Sequence, residues 1–537
     1  MFRIKKKGVY NYIKQIKMNR KKIIRSLMLI CCIVVFIALF IAYFFVSREN
    51  TPKDICNYTV ESLDNEIKLS WESPQFSDID HFELAIISGE IYSQAVTLPP
   101  NCQEYHFREG NHGQAYQFFL LARFKDGTCG EGFSSNCIFL DYSQFPDLPI
   151  ISIVTVDGVD PTYEDAIKED DSWLGETITN NEYVAGSMVF HQNGQSSSTS
   201  KVKIRVRGNT SSALNIKKSY KIVLDEPLDL LKLGNEFADK EWVLLNTDTQ
   251  LNTYIGEYLA ELCGAEWAPR MRFVNVILNN DWKGLYLLIE SVKRSNVRCN
   301  ISSSGYLFEN DAYWWNSDGK YFKTDCPQMD YELGFTLKYP QMQDGDDPKV
   351  LLLKNYMEEF ESYLYAGDKH FEEYIDMDSF ATWIMVQDLM GCYDSLGSNM
   401  YYYIYTLDPL NPTLSPLKMG PLWDFDGSFP EDPETYSRQH NKDNISGLYF
   451  KELFKYESFN TVYWAKWDGI KNSLVPELEN ALMDLCSEQG EAINESRILD
   501  ANRYGYQYPT IESEVHDRLE WFKAKTDWMN NMMNAGE

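Results

Sequence analysis

The sequence predicts a multidomain α+β chain: one transmembrane helix, an all-β module, and a larger domain of mixed strands and helices. Three observations predict this. Residues 27–46 are an uncharged apolar run. Residues from about 53 to 142 alternate apolar and polar positions with period two between turn residues. From about 148 to 537, strand patterns and helical patterns are interspersed.

The apolar run is 20 residues long. At about 1.5 Å per residue it spans a hydrocarbon core of about 30 Å. Ten Lys/Arg residues precede it and only Arg48 follows closely. The positive-inside bias then predicts a basic cytoplasmic segment at 1–26 and a single-pass helix at 27–46. The remaining domains are expected to be extracytoplasmic, at the cell membrane. A cleaved signal peptide fits less well, because the basic region is long and no small-residue cleavage site follows.

Charge narrows the partners. The chain carries a formal −29, yet residues 1–50 hold 11 Lys/Arg and one acid, leaving 39 basic and 78 acidic residues beyond them. A surface this acidic excludes a nucleic-acid partner, which needs a basic footprint. Basic protein segments or metal ions suit it. With 44% hydrophobic and 14% aromatic residues the chain is globular, not disordered. Among 11 cysteines, Cys56, Cys102, Cys129 and Cys137 cluster where an oxidising compartment would allow pairing. There is no CxxC or HExxH motif and the seven histidines are dispersed, so a zinc site is not expected.

In the all-β module, Glu66–Glu72, His81–Ile86 and Tyr116–Ala122 each read as strands, and the spacing predicts a β-sandwich over 53–142. The KLSWESP run, the AYQFFLLARFKDG run and the module length resemble a fibronectin type III domain. Such a module implies a spacer or binding surface. Phe145–Pro149 reads as a linker.

The larger domain opens with a strand at 150–155. A second strand, Val202–Arg207, runs into Arg207-Gly208-Asn209-Thr210-Ser211-Ser212, a small-residue turn able to present backbone N–H groups to phosphate. The next strand, Lys217–Leu224, carries Lys217, Lys218 and Lys221 near its start; a lysine facing a cleft would hold nucleotide phosphates, and one on a solvated edge would not. Then come Glu241–Leu245, a helix with Leu251, Tyr254, Ile255, Tyr258, Leu259 and Leu262 on one face, and a hairpin of 273–278 and 284–290 closing on Glu290. Strand, glycine turn, lysine strand, helix and hairpin is the order of a protein-kinase small lobe.

Farther on, Asp376 or Asp378 caps a helix ending at Gly391. Asp394 follows, with Asn399 five residues later, and then Trp423-Asp424-Phe425-Asp426-Gly427. Phosphoryl transfer wants these types. One carboxylate accepts or orients the proton of the attacking hydroxyl, and an amide and a second carboxylate hold metal ions on the phosphates. Apolar residues at helical spacing over 459–475 and 511–528 complete the domain.

Taken together, RGNTSS at 207–212, KKSYKI at 217–222, KEWVLL at 240–245, GLYLLIE at 284–290, DSLGSNMYYY at 394–403 and PLWDFDG at 421–427 resemble the spore coat protein H (CotH) family of atypical kinases. The resemblance runs from about 150 to 450, and places such a domain over 148–537. It implies a divergent two-lobed protein-kinase-like fold that uses ATP with Mg²⁺ or Mn²⁺. The implied reaction phosphorylates serine or threonine on protein substrates, basic or Ser-rich coat or surface proteins among them. By motif, Asp394 is the catalytic aspartate and Asn399, Asp424 and Asp426 are the metal ligands. Arg207, Gly208 and Asn209 stand for the glycine loop, Lys218 or Lys221 contacts phosphate, and Glu290 lies near the hinge.

Two departures stand out: the HRD histidine and arginine are absent, and a proline-rich insertion lengthens the path from Asp394 to Asp424. A catalytically inactive surface adhesin on the same scaffold is the alternative. A haloacid-dehalogenase-type phosphatase, with Asp424 as nucleophile and Asp426 as acid/base, is a more distant one, since Pro421 interrupts the strand that fold needs.

Overall fold

A computed structural model describes residues 55–73, 76–88, 91–156, 158–166, 178–180, 182–208, 215–246, 250–311, 321–325, 333–341, 347–393, 399–440 and 448–536. The chain divides into two compact units, one of Met1–Ser62 with Glu66–Phe139 and one of Leu63–Asn65 with Leu140–Glu537.

The N-terminal unit is β-rich. Its strands are β1 (Cys56–Leu63), β2 (Glu66–Glu72), β3 (Ile79–Ser88), β4 (Ile91–Leu98), β5 (Glu104–Phe107), β6 (Ala115–Phe124) and β7 (Phe133–Ile138). They form a sheet in the order β1-β2-β5 and another in the order β4-β3-β6-β7. Period-two patterning puts Ile67, Leu69 and Trp71 of β2 in one core with Phe82, Leu84 and Ile86 of β3 and Phe118 and Leu120 of β6. Cys56, Cys102, Cys129 and Cys137 are free thiols.

The C-terminal unit starts with β8 (Ile150–Thr155), a small β9–β10 hairpin (Glu164–Ala166, Ile178–Asn180), β11 (Val184–Gln192) and β12 (Gln195–Ser196). Then come β13 (Ser200–Arg207), β14 (Ser219–Leu228), β15 (Asp239–Leu245), helix α1 (Gln250–Leu262), β16 (Met271–Leu278) and β17 (Asp281–Glu290). The sheet order is β12-β11-β13-β14-β15-β17-β16-β8, and β8 pairs again with β11. Strand β8 thus runs parallel to β16 on one side and antiparallel to β11 on the other, which closes a seven-stranded barrel. Alternate residues such as Ile153, Phe190, Ile204, Ile222, Trp242 and Val276 fill its interior.

A second, antiparallel sheet follows in the order β19-β20-β18-β21-β22, from β18 (Tyr306–Asn310), β19 (Tyr321–Thr324), β20 (Leu333–Tyr339), β21 (Met400–Ile404) and β22 (Lys418–Met419). Helices α2 (Pro348–Ala366), α3 (Phe371–Tyr374), α4 (Met377–Met390), α5 (Leu448–Leu453), α6 (Glu457–Ile470), α7 (Leu474–Tyr504) and α8 (Ile511–Ala535) make up the rest. Helix α4 is buried throughout from Phe380 to Met390. A helix apolar on all sides belongs at a domain centre.

The expected fold class is corrected on two counts. What forms among the described residues is an N-terminal β-rich region and a closed seven-stranded barrel leading into a helical C-terminal part, not a two-lobed kinase-like domain, and no transmembrane helix is found among them. The period-two signal reports which face of each strand is buried, but ring closure depends on the pairing of β8 with β11 and β16, which no local pattern encodes. The expected single-pass placement is also withdrawn. Among the described residues no helix is long and apolar enough to cross a membrane, and the run at 27–46 lies outside them.

One buried acid makes the fold pH-sensitive. Glu361 of α2 accepts hydrogen bonds from the Tyr449 hydroxyl at 2.6 Å and from Thr324 at 3.1 Å. Burial pushes its carboxyl from 4.5 up to about 7, against the pull of those two donors. A folded value above the unfolded one favours the protonated acid, so its stabilisation is complete below about pH 4.5 and is lost as pH rises to about 7. Glu361→Gln keeps the accepting oxygen and removes the titration. Thermal melts should show the variant gaining on the wild type from pH 4.5 to 7, by about 3 kcal/mol at pH 8. Parallel pH profiles for the two proteins would refute this.

Candidate active site

The segments carrying the candidate acids are positioned by α4 and the second sheet. Asp376 caps α4 by accepting from the Ser379 N–H at 2.9 Å, and Gly391 ends the helix with φ 60°. The Tyr393 N–H then donates to the Gly427 carbonyl at 3.0 Å, tying the chain after α4 to the WDFDG segment. On the other side, β21 begins directly after Asn399, and β22 pairs with it through Tyr402–Met419 and Tyr403–Lys418 just before residues 420–427.

Asn399 and Asp424 meet. The Asn399 amide donates from Nδ2 to Oδ2 of Asp424 at 3.1 Å. Both residues adopt the left-handed backbone region, with φ 63° and 64°. Asn and Asp are the non-glycine types that best tolerate it, and left-handed residues cluster where a loop must aim side chains at a site. Asp426, two residues on, is exposed.

Arg207, at the end of β13, joins them. Its guanidinium lies 5.5 Å from the centre of the Trp423 ring. Among the described residues none accepts a hydrogen bond from it, and its charge acts on Tyr401 and Lys338. Trp423 itself packs with Val243 and Ile289 of the barrel's outer face and with Tyr401.

Two residues that the motif reading passed over complete the cluster. Glu309 of β18 stands opposite Tyr401 in the sheet and accepts from the Asn399 N–H at 3.3 Å. Its other oxygen pairs with Lys338 of β20 at 2.8 Å. Burial pulls the Lys338 ammonium pKa down, but the Glu309 and Asp311 carboxylates more than offset this and hold it above the ordinary value. A charged residue in the apolar run Tyr-Leu-Phe-Glu-Asn was the available signal for Glu309.

The other expected residues sit elsewhere or lie outside the described residues. Asp394 and Asn209 are in the latter group. Gly208 follows Arg207 with φ 111°. Lys221 points outward from β14 and pairs with Glu241 of β15 at 2.7 Å. The Lys218 ammonium lies 4.6 Å from the Tyr163 ring centre, its pKa lowered by burial. Neither lysine is brought to Asp424 by a described contact. Glu290 is fully buried, and its carboxylate accepts two bonds from the Arg270 guanidinium at 2.8 Å, the Arg270 N–H at 3.1 Å and the Trp267 indole at 3.3 Å.

Phe425 links the acids to α1. A Cβ placed on Gly256 would lie 2.5 Å from the Phe425 ring, which is completely buried. Gly256→Ala is therefore expected to lose about 1–3 kcal/mol of stability through overpacking. The same push acts on the residue next to Asp424, so any Asp424-dependent activity should fall more than the stability loss accounts for. Full activity at a temperature well below the melting point would show that the contact does not reach the site.

The donor set fits a divalent cation of a particular kind. Among the described residues no group of three or more His, Cys, Asp or Glu side chains gathers to hold a metal. The neighbouring Asn399 amide and Asp424 carboxylate are hard oxygen donors, and Mg²⁺ is commonly held by one or two carboxylates with phosphate oxygens and water supplying the rest.

With this geometry in place, the comparisons are decisive on family. The family described as CotH kinase protein matches residues 204–529, more than half of the chain, and the chain belongs to it. No curated protein matches the chain. Among solved structures, the fn3 domain of human collagen alpha-1(XX) chain is 17% identical, covering 16% of this chain and 84% of that one, with a TM-score of 0.15. A chicken tenascin segment of two fibronectin type III domains is 12% identical, covering 36% and 99%, with a TM-score of 0.15. The C. elegans twitchin kinase region is 8% identical, covering 52% and 44%, with a TM-score of 0.17. Scores this low carry no argument about fold or function.

Proposed function

We propose that this CotH-family chain is an atypical protein kinase that transfers the ATP γ-phosphate to serine or threonine of protein substrates. The observation that carries the reading is the 3.1 Å contact of Asn399 with Asp424, beside a Trp423 ring overlain by the Arg207 guanidinium. Asn399 and Asp424 are the residues to hold Mg²⁺ or Mn²⁺, with Asp426 adjacent; a bound ion supplies neutralisation of phosphate charge. Arg207 binds phosphate oxygens, which its planar fork of donors suits. Glu309 holds the Asn399 backbone, and Lys338 balances Glu309. Asp394, five residues before Asn399, takes the role of orienting the substrate hydroxyl. Acceptors of basic, Ser-rich character suit the acidic surface.

A haloacid-dehalogenase reading is disfavoured. It requires Asp424 at the end of a buried parallel strand, whereas the sheet that delivers it is antiparallel.

The test is transfer from labelled ATP, with Mg²⁺ or Mn²⁺, to the protein itself and to Ser-rich basic peptides. Transfer that Asp394→Asn and Asp424→Asn both remove supports the reading. Folded protein that neither transfers phosphate nor binds nucleotide with either metal overturns it in favour of a binding module.

A further inference from the structure

Outside the phosphoryl-transfer site, the outer side of α1 carries a cleft of about 250 Å³. Its floor is Glu257, its walls include Tyr254, Tyr258 and Leu231, and Glu261 stands at its edge. Glu257 is only 3% exposed, and neither of its carboxyl oxygens has a hydrogen-bond partner. A buried carboxyl without a partner is costly even before any charge is considered. The nearest cation lining the cleft, Arg270, does not relieve it. Its guanidinium is spent on Glu290 and the Val297 carbonyl, and it stacks on Phe237 at 4.3 Å.

The charges that act on Glu257 share its sign. Glu261 lies on α1 and Glu290 on β17, and both carboxylates act on Glu257. From α7, Asp484 and Glu488 face Tyr254, and Glu477 faces Tyr258 and accepts from its hydroxyl through a backbone carbonyl. The cleft therefore combines aromatic walls, an aliphatic side, an acidic rim and an unsatisfied carboxyl at the bottom. Aromatic faces attract cations, and a long alkyl stem covers apolar walls while its charged head seeks the carboxylate.

We propose that this cleft is a docking site for a lysine side chain of a protein partner, with Glu257 as counter-ion to the ammonium and Tyr254 and Tyr258 as walls. A metal ion does not suit it, because no group of three ligating side chains is present among the described residues. A guanidinium suits it less, since a single carboxyl at the end of a narrow aromatic cleft matches a compact ammonium better than a planar fork. The net acidity of the chain favours a basic protein segment as the source. The site needs no nucleotide, so it stands or falls separately from phosphoryl transfer.

Binding should release a proton. Burial, with the Glu261 and Glu290 carboxylates, holds the Glu257 acid well above its ordinary range, which favours the protonated form in the empty site. An ammonium in contact favours the carboxylate.

The experiment is isothermal titration calorimetry on the full chain without nucleotide. The ligand is a five-residue Ser/Gly peptide with one central lysine, and the comparison ligands carry norleucine or arginine there, or are free spermidine. The lysine peptide should bind at least tenfold more tightly than each of the other three. Its heat should differ between phosphate and Tris buffers at one pH. Glu257→Gln and Tyr254→Ala should each weaken it at least tenfold with melting temperatures within a few degrees of wild type. Equal binding of the norleucine peptide, tighter binding of arginine or spermidine, buffer-independent heat, or unchanged affinity in both folded variants would each overturn the assignment.

Discussion

Asp424→Asn should lower phosphate transfer by at least about 10³-fold while leaving the fold intact, a loss of about 4 kcal/mol in transition-state stabilisation. The fold should survive for two reasons. Asn adopts the left-handed backbone of position 424 as readily as Asp, and its carbonyl oxygen still accepts from Asn399. What disappears is the negative charge that the proposed mechanism uses to hold a metal ion against phosphate. Asn399→Gly is the companion variant, because it keeps the left-handed backbone and deletes only the amide. Melting curves should overlay with wild type for Asp424→Asn, and labelled ATP should report the lost transfer. Wild-type transfer by Asp424→Asn would remove this residue from the mechanism.

Asp500→Ala should cost about 3–5 kcal/mol of folding stability. The Lys217 ammonium is buried and donates to Oδ2 of Asp500 and to the Leu285 carbonyl, both at 2.6 Å, and it lies 4.6 Å from the Tyr286 ring centre. Desolvation dominates the pair. Burial pulls the lysine from 10.5 down to about 8 and pushes the aspartate up, although each attracts the other. The pair is thus a poor source of net stability and a severe loss when halved, since removing Asp500 strands a cation between the barrel and α7. Lys217→Met combined with Asp500→Leu should recover most of the loss, and urea unfolding of the three proteins measures it. A single Asp500→Ala within 1 kcal/mol of wild type would show that Lys217 finds another partner.

The two adjacent lysines show where reading by pattern ran out. Lys217 and Lys218 directly precede β14, and the family resemblance offered Lys218 or Lys221 as the phosphate ligand. Which of them turns inward depends on Asp500, 283 residues away in sequence. Likewise, Lys221 was offered as a phosphate ligand, whereas it lies on the outer face of β14 and pairs with Glu241 of the neighbouring strand. The Gly391 cap was legible, and the N-cap was narrowed to Asp376 or Asp378, because a cap acts on backbone within a few residues of itself. Gly256 carried no signal, since its need arises only from the Phe425 ring set against it.

By itself, the sequence determined the local identities: which segments are strands and helices, where α4 ends, and the family resemblance that the match over residues 204–529 bears out. These follow from side-chain period, capping chemistry and motif spacing, all of which act over short stretches of chain. Only the tertiary structure decided that seven strands close into a barrel, that Asn399 lies against Asp424 with Arg207 over Trp423, and that Glu257 is left unsatisfied in a cleft. Each of these is a meeting of residues far apart in the chain, selected by packing and burial across the whole unit, and no local pattern contains it.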